Sequence, residues 1–396
     1  MHSINKNSYL HNYLEDINPR LINRCVEKAM GYKIIDEHDL EPPFNRLISE
    51  QPNIPVKNLD LIHRPIGFGR YAMPKLRREL HNKDPTVVIA AIESISELVV
   101  DSSRAYEALE LRIVERMTHL LVDENPAIRE RCARALTILA ILADAKKKIV
   151  ANKILLNNIS VCSEDPYEEV RLHVAELLER LSEFWLTADS LVEFGFIQII
   201  LHILQSSEEK YIMLIHLRTL RCMLYGIQGK MIALEYSGYH ILMSFLNDEN
   251  SEVLAAALEC TALLTSTCIG EKLARESNLL NTLDKLLQDE SVEVYTQAAH
   301  CIMFCTVKGT GKIMASKYPR MVHRLIELCQ NKENLSTQIF GLSALKNICE
   351  HPAVRKRVNA EYRREIGMIQ IGADPCIQAY KDSLLTVISW SPDSAT

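Results

Sequence analysis

The chain has 396 residues, a formal net charge of −6 and a hydrophobic fraction of 47%. Glycine and proline contribute only 13 and 14 residues, well below the roughly 12% of a chain that these two types usually form. Such a composition cannot supply the turns of a fold with many short strands, and it excludes collagen-like, disulfide-framework and low-complexity proteins. The ordinary apolar fraction and small net charge also exclude global disorder.

The first 64 residues differ from the rest of the chain. They contain one possible helix, Arg20–Met30, followed by four prolines between residues 42 and 55. Proline fixes φ and removes an amide donor, so this run predicts an extended linker. The sequence leaves open whether this arm docks along the remainder of the protein, binds a partner or is an unstructured tail. Because no apolar signal core or membrane-span pattern is present, we expect a soluble intracellular protein.

From about residue 72 onward, a pattern of about 41 residues recurs. Each copy begins with a polar turn, often containing Asn or Pro, and continues with an aliphatic anchor and a cluster of small or apolar residues. The anchors are Val87, Ile128, Val170, Val253 and Val294, with further copies near Ile212, Thr337 and Ile377. The regular spacing of these anchors predicts about eight units.

A second amphipathic element lies between the anchors and ends in an acidic turn. Met117–Asp123, Ile241–Asp248 and Leu283–Asp289 are examples, and their apolar residues recur at helical spacing. A short segment such as Ala143–Lys148 often precedes this element, which gives two or three helices in each unit. A period of roughly 40–47 residues with such units is the signature of armadillo and HEAT repeats.

The sequence therefore predicts an all-α, armadillo/HEAT-like solenoid over residues 65–392. An N-terminal arm, residues 1–64, precedes it, and a short tail, residues 393–396, follows it. No single helical pair can bury its own apolar face, so neighbouring units stack and share one core. Gly195 and Gly238 each stand just before an amphipathic helix, where glycine permits a sharp turn.

No motif predicts catalysis, a cofactor or a metal site, so we expect a non-enzymatic protein without cofactor or small-molecule substrate. The eleven cysteines show no Cys-x-x-Cys spacing, and we interpret most of them as small buried hydrophobes. Cys301 and Cys305, with the adjacent His300, are likewise interpreted as core residues. Gly309–Lys312 is similar to the end of a phosphate-binding loop, but Ile313 stands where Ser or Thr should bind magnesium, so we interpret it as a turn between helices.

Charge and aromatic patterns also limit the partners. The basic clusters Lys146–Lys148 and Arg355–Arg357 are short and favour solvated helix ends, so neither nucleic acid nor membrane is an expected partner. The only tryptophans are Trp185 and Trp390, and no Trp-x-x-x-Asn ladder for basic peptides is present. The last helix of several units carries small or apolar residues instead, as in Ala255–Leu258, which favours close packing against a partner's helix or strand.

Three stretches resemble the radial spoke head 14 homolog family. They are Ile66–Leu76, Ala298–Val307 with the nearby Gly311 and Lys312, and the closing Val387–Pro392. The resemblance covers roughly residues 65–392; the arm has no counterpart in it, and the middle repeats match only as any armadillo unit would.

The resemblance implies a structural, non-enzymatic component of the radial spoke in motile cilia and sperm flagella. It implies a cytoskeletal location in the axoneme and other radial spoke proteins as partners, which the solenoid would brace through its long faces. The alternative is a soluble armadillo-repeat adaptor that binds peptide segments of partner proteins in transport or signalling. Neither interpretation predicts individual partner-binding residues.

Overall fold

The computed structural model describes residues 72–206, 208–331, 334–369 and 375–391, of which 79% are helical and none are in strands. The prediction of an all-α solenoid is confirmed. The chain divides into two units, one ending at Leu111 and the other beginning at Arg112. The arm (1–64) and the tail (393–396) lie outside the described residues, so the domain boundaries stay predictions.

The described part of the first unit contains three helices, α1 (Ala72–Glu79), α2 (Pro85–Leu98) and α3 (Ser102–Glu110). Asp84 begins α2 because its carboxylate accepts a hydrogen bond from the amide of Thr86 at 2.9 Å. Pro85 then occupies the first helical position. A backbone N–H at that position has no acceptor within the helix, so proline loses no hydrogen bond there. The anchor Val87 is buried, as the repeat pattern predicts.

The second unit continues the repeat as a stack of helices. Those in its described residues are α4 (Ile113–Leu120), α5 (Pro126–Leu139), α6 (Ala143–Ala151), α7 (Lys153–Cys162), α8 (Glu168–Ser182), α9 (Trp185–Phe194), α10 (Phe196–Ile203), α11 (Lys210–Met223), α12 (Ile227–Glu235), α13 (Gly238–Ser244), α14 (Ser251–Thr265), α15 (Cys268–Glu276), α16 (Leu279–Leu286), α17 (Val292–Cys305), α18 (Gly309–Ala315), α19 (Pro319–Cys329), α20 (Leu335–Cys349), α21 (Pro352–Glu361), α22 (Arg363–Met368) and α23 (Pro375–Ser389), with a short 3-10 turn, Phe245–Asn247. Each repeat has a short first helix, a second helix and a long third helix.

The seven long third helices, α5, α8, α11, α14, α17, α20 and α23, form one continuous layer in which each contacts the next. The predicted anchors hold this layer together from inside. All of them are buried: Ile128, Val170, Ile212, Val253, Val294, Thr337 and Ile377. The period is therefore confirmed, including the weaker copies. The polar turns before the anchors cap the long helices, since Asn125 and Asn250 accept backbone N–H groups at 3.0 and 2.9 Å.

The turn between the first and second helices uses a left-handed residue. Gly195 has φ +106° there, as the sequence predicts, but in the next repeat the left-handed residue is Ser237, at φ 60°, and not Gly238. Gly238 is required for space, because a Cβ at that position would lie 2.6 Å from the carbonyl oxygen of Ala233. The glycine of that repeat thus allows a close approach between helices and does not make the turn.

The segment Gly309–Lys312 is not a turn between helices; it begins α18. A Cβ on Gly311 would lie 1.8 Å from the carbonyl oxygen of Cys305, so this glycine lets α18 lie against the end of α17. Lys308 and Thr310 direct their side chains to the buried carboxylate of Glu271, at 3.0 and 3.3 Å. Thr310, in the segment that is similar to a phosphate loop, and Lys308, just before it, thus bind a carboxylate of the preceding repeat.

Lys146 does not lie at a solvated helix end. It stands within α6, its side chain is buried, and its ammonium group donates to the carbonyl oxygen of Arg180 and to Glu183 Oε2, the latter at 3.2 Å. The carbonyl groups at the end of α8 have no partner within their own helix, and a lysine from the first helix of the same repeat satisfies one of them. This lysine therefore joins the first and third helices of its repeat.

The interpretation of the cysteines as buried hydrophobes is confirmed for most of those described. None of the nine cysteines whose side chains are described forms a disulfide; seven are buried, Cys222 is half-buried and Cys268 is exposed. Burial raises the pKa of the Cys305 thiol to about 12. Three buried thiols donate across one repeat: Cys162 to the carbonyl oxygen of Leu121 at 3.1 Å, Cys260 to that of Leu217 at 3.3 Å, and Cys301 to that of Leu258 at 3.1 Å.

Candidate functional site

The candidate site is the open side of the long helices, which we name the third-helix face. It is formed by the residues six and ten positions after each anchor, most of which are not buried, together with the accessible side chains beside them on the same helices. On α5 to α20 these are Arg134, Ile138, Glu176, Arg180, Arg218, Cys222, Glu259, Leu263, His300, Phe304, Ser343 and Asn347. The face changes character along the stack, from charged on α5, α8 and α11 to aromatic on α17 and α20.

Ion pairs between neighbouring helices connect the charged part. The carboxylate of Glu130 on α5 accepts from Arg131 at 2.7 Å and lies 3.7 Å from Nε2 of His173 on α8. The other ring nitrogen of His173, Nδ1, lies 2.8 Å from Glu176. His173 thus lies between a carboxylate of α5 and one of its own helix.

The same arrangement recurs between α11 and α14. Arg218 lies 3.7 Å from Glu252, and Arg221 lies 3.3 Å from Glu259. Arginine and glutamate alternate from one repeat to the next at the sixth position after the anchor. The charged part therefore offers no uniformly basic or acidic groove, in agreement with the sequence prediction that the last helices are not strongly basic.

Two arginine clamps, one buried and one half-buried, lie at the start of the charged part. Arg129 donates Nε and Nη2 to the two carboxylate oxygens of Asp165 at 2.7 and 2.9 Å, and both side chains are almost fully buried. Arg171, at the equivalent position of the next repeat, holds Glu208 in the same way at 2.7 and 3.0 Å. Paired hydrogen bonds of this kind fix both distance and orientation, so they set how one repeat stacks on the next.

The aromatic part is built around His300. Its ring stacks on Phe340 of α20, with centroids 4.2 Å apart and planes at 11°, and packs against Phe304 at 5.2 Å. Nδ1 of His300 lies 3.1 Å from the side-chain oxygen of Gln297. Burial lowers the pKa of His300 to about 4, so the ring is neutral at physiological pH and presents an aromatic surface.

Neutral polar groups complete the aromatic part. Asn347 donates from Nδ2 to the carbonyl oxygen of Met303 on the neighbouring helix at 3.0 Å. The hydroxyls of Thr296 and Thr337 hydrogen-bond to each other across the same helix pair. The buried hydroxyl oxygen of Ser343 has no hydrogen-bond partner among the described residues.

The alanine-rich run Ala255–Leu258 contributes less to the open surface than its sequence suggests. Ala255, Ala257 and Leu258 are buried, and only Ala256 is partly accessible. These small side chains permit α14 to pack closely between α11 and α17, both of which it contacts. The expectation that this run packs against a partner is therefore wrong for most of its residues, since the neighbouring repeats already cover them.

The described residues form no metal-binding cluster. No three of their His, Cys, Asp or Glu side chains lie close enough to hold a metal ion. A cavity lined by Glu271, Arg275 and Gly311 has a volume of about 10 Å³, which is room for one water molecule. Within the same residues no single helix is both long and apolar enough to cross a membrane, and two bent helix pairs reach that length and composition only together.

Neither tryptophan belongs to the third-helix face. Trp185 begins α9, and Trp390 follows α23, where the guanidinium of Arg355 lies 4.5 Å from its ring centroid. The stack of His300 on Phe340, which the sequence interpretation missed, is the aromatic feature of this surface. The sequence could have indicated this stack, because aromatic residues occur on the open side of two consecutive long helices.

Comparison with known proteins supports the fold. No protein-family model matches the chain. An engineered protein solved by the Northeast Structural Genomics Consortium superposes with a TM-score of 0.70 at 18% identity, covering 84% of this chain and 83% of that one. A computationally designed armadillo repeat protein for modular peptide recognition has a TM-score of 0.55 at 16% identity, covering 59% of this chain and 99% of its own.

A designed armadillo repeat protein in complex with the peptide (KR)4 is also similar, with a TM-score of 0.55 at 17% identity and coverage of 59% of this chain and 99% of that one. At such identities the likeness concerns the fold alone. The chain is accordingly an all-α solenoid with an armadillo-like fold.

Proposed function

We propose that this protein is a non-enzymatic scaffold of the radial spoke in the axoneme of motile cilia and flagella. Two observations support the proposal: the armadillo-like solenoid and the stretches that resemble the radial spoke head 14 homolog family. The second of these stretches, Ala298–Val307, lies in α17, the helix that carries the aromatic part of the third-helix face. In this role the solenoid braces neighbouring spoke proteins through its long faces.

The observation that carries a scaffold role is the internal pairing of charges on the third-helix face. Arg218 and Arg221 already have glutamate partners on the next repeat, and Glu176 has His173. A groove that captures a charged peptide needs unpaired charges of one sign along its length. A face with matched charges and a neutral aromatic end suits many weak contacts with large neighbours.

The test is the retention of the protein in isolated axonemes. After detergent removes the ciliary membrane, we expect the protein to stay with the microtubule doublets and to leave only in high salt or chaotrope. Chemical crosslinking followed by mass spectrometry should then connect its lysines to spoke proteins. Release of the whole pool into the detergent-soluble fraction would contradict the proposal.

The similarity to designed proteins that recognise peptides supports the second candidate, a soluble adaptor. In that role the purified chain should bind a short peptide with one-to-one stoichiometry, and the variants His300→Ala and Phe340→Ala should abolish the binding. The two candidates differ in the cell, because the adaptor washes out of demembranated axonemes.

A further inference from the structure

A line of exposed apolar side chains runs along one edge of the second unit, where each third helix ends and the next first helix begins. We name it the corner ridge. It comprises Ile141, Trp185, Leu186, Tyr225, Ile227, Met231, Ile269, Val307 and Ile313, all of which are exposed. The ridge crosses five consecutive corners, from α5–α6 to α17–α18, and every corner contributes at least one of these residues.

These apolar side chains are exposed to an unusually large extent, whereas most apolar residues of the repeats are buried. Tyr225 is 65% exposed, Trp185 66% and Ile227 68%. Single exposed apolar residues are common on protein surfaces, but a line of them at equivalent places is a mark of an interaction surface. Nine such side chains offer an area on the order of the ~800 Å² that each partner contributes to a standard protein interface.

The spacing of the corners fits one kind of occupant. Packed helices lie about 8–10 Å apart, so successive corners recur at about that distance. An α-helix rises about 1.5 Å per residue, or about 10.5 Å over seven residues, and a heptad repeat therefore places one apolar side chain at each corner. An extended strand presents the same face about every 6.6 Å and does not match this distance.

Lysines accompany the ridge at four of its five corners: Lys147, Lys230, Lys272 and Lys308. The helix at the Trp185 corner carries none. Lys147 and Lys272 are mainly exposed, and their partners, Asp144 and Glu276, lie on the same helix as the lysine. Exposed pairs of this kind contribute little, so the ammonium groups can exchange these partners for those of a docked protein.

Lys230 is the lysine whose surroundings point most directly to an acidic partner. Its ammonium group donates to the hydroxyl of Ser266 at 2.9 Å, and no carboxylate of the described residues lies within 4 Å of it. Partial burial lowers its pKa, because the charge is held beside apolar side chains without a counter-charge. Ile227 and Met231 lie next to it on α12.

We propose that the corner ridge binds a long amphipathic α-helix of a partner protein, with apolar residues in a heptad repeat and acidic residues beside them. This inference deepens the proposed scaffold role and rests on it, because it names the surface and the kind of segment that the scaffold holds. The partner helix lies along the stack and places its apolar residues against the corners. Its acidic residues then face Lys147, Lys230 and Lys272.

The experiment places a benzophenone side chain at position 227 of the full chain, or at position 154 as a matched control, in ciliated cells. Ile154 lies on α7, is 64% exposed and is outside the ridge. After illumination, mass spectrometry identifies the crosslinked segments. We expect position 227, and not position 154, to capture a segment with heptad apolar spacing and flanking Asp or Glu.

Capture of a basic, proline-rich or extended segment, of a second copy of this chain, or of nothing above the control would overturn the inference. The identity of the captured protein tests the proposed function separately. An acidic heptad helix from a protein that is not part of a spoke supports the ridge and contradicts the spoke role.

The captured segment is then synthesised as a peptide and titrated against purified variants. Tyr225→Asp with Ile227→Asp should weaken its binding by about tenfold or more. The control pair Ile154→Asp with Val161→Asp, both on exposed positions of α7, should leave it unchanged. Lys230→Glu should weaken binding and reduce its dependence on salt. Equal losses in the ridge and control variants would show that the ridge is not the binding surface.

Discussion

The repeats of α5, α8 and α11 and those of α14, α17 and α20 share one period but are joined by different chemistry. In the first group buried and half-buried charges join neighbouring repeats, with Arg129 on Asp165 and Arg171 on Glu208. In the second group the long helices are joined by neutral contacts, such as the stack of His300 on Phe340, and the charged contact of Lys308 with Glu271 lies between the short first helices. The period thus determines which positions of neighbouring repeats are in contact. The side chains at those positions determine whether the contact is an ion pair or a neutral packing contact.

The difference has a consequence for the surface. Where charges hold the repeats together, the third-helix face is a network of ion pairs, and where aromatic and small residues do so, the face is neutral. A partner in contact with both groups meets a salt-sensitive surface at one end and a salt-insensitive surface at the other. Four predictions test this contrast, in order of expected effect.

The largest effect should come from the charged joint. Arg129→Ala leaves the carboxylate of Asp165 buried without its partner, and we expect the free energy of unfolding in urea to fall by about 3–5 kcal/mol. The double variant Arg129→Met with Asp165→Asn should recover most of this loss, because no charge is then left buried. Lys147→Ala, in an exposed pair, should change stability by less than about 0.5 kcal/mol. A loss below about 1 kcal/mol for Arg129→Ala would contradict the role of the clamp.

A steric joint in the second group should be the next most sensitive. Gly311→Ala places a methyl group against the carbonyl of Cys305 and should cost about 1–3 kcal/mol in the same measurement. The matched control is Gly309→Ala, two residues earlier on α18, where nothing lies within 4 Å of the new Cβ. That variant should be neutral or up to about 1 kcal/mol more stable. Equal effects of the two substitutions would contradict the close approach of α18 to α17.

The free energy of unfolding should depend on pH through one buried histidine in each group. Burial lowers the pKa of His216 on α11 and of His300 on α17 to about 4. Since the unfolded value is about 6.5, the unfolded chain binds more protons between these limits, and stability falls as the pH drops through this window. We expect a loss of about 2 kcal/mol for each histidine between pH 7 and pH 5.

Substitution separates the two histidines. His300→Phe keeps the aromatic stack and should remove only its own share of the pH dependence, and His216→Leu should do the same in the charged group. The charged group should lose further stability below about pH 4.5. Burial opposes the ionised form of Glu208, but the hydrogen bonds from Arg171 and from the amide of Glu209 hold its pKa below the ordinary value. An unfolding free energy that does not change between pH 7 and pH 5 would refute this assignment.

The smallest effect should come from the open charges of the third-helix face. Arg218→Ala breaks a pair at 3.7 Å whose members are both largely exposed, and we expect a change below about 0.5 kcal/mol. Unfolding in 0.5 M salt should reduce even this difference. A loss above about 1 kcal/mol would show that this face contributes to stability as strongly as the buried joints do.

The sequence by itself determined the solenoid, the position of its long helices and the inside of each repeat. Anchors such as Val170 and Val294 recur at a fixed distance because each must fill the same place in the shared core, and that regularity is visible without coordinates. The caps at Asn125 and Asn250 are equally local, since the side chain binds an amide two residues further on.

Only the tertiary structure decided which residues join neighbouring repeats and which remain open. Lys146 looked like a solvated lysine because its partners, Arg180 and Glu183, lie nearly one full repeat away along the chain. Ala255 looked like partner surface, although the adjacent long helices cover it. The physical reason is the same for both: folding and stacking bring residues nearly one period or more apart into contact, and the local pattern of one helix carries no record of what the helices packed against it supply.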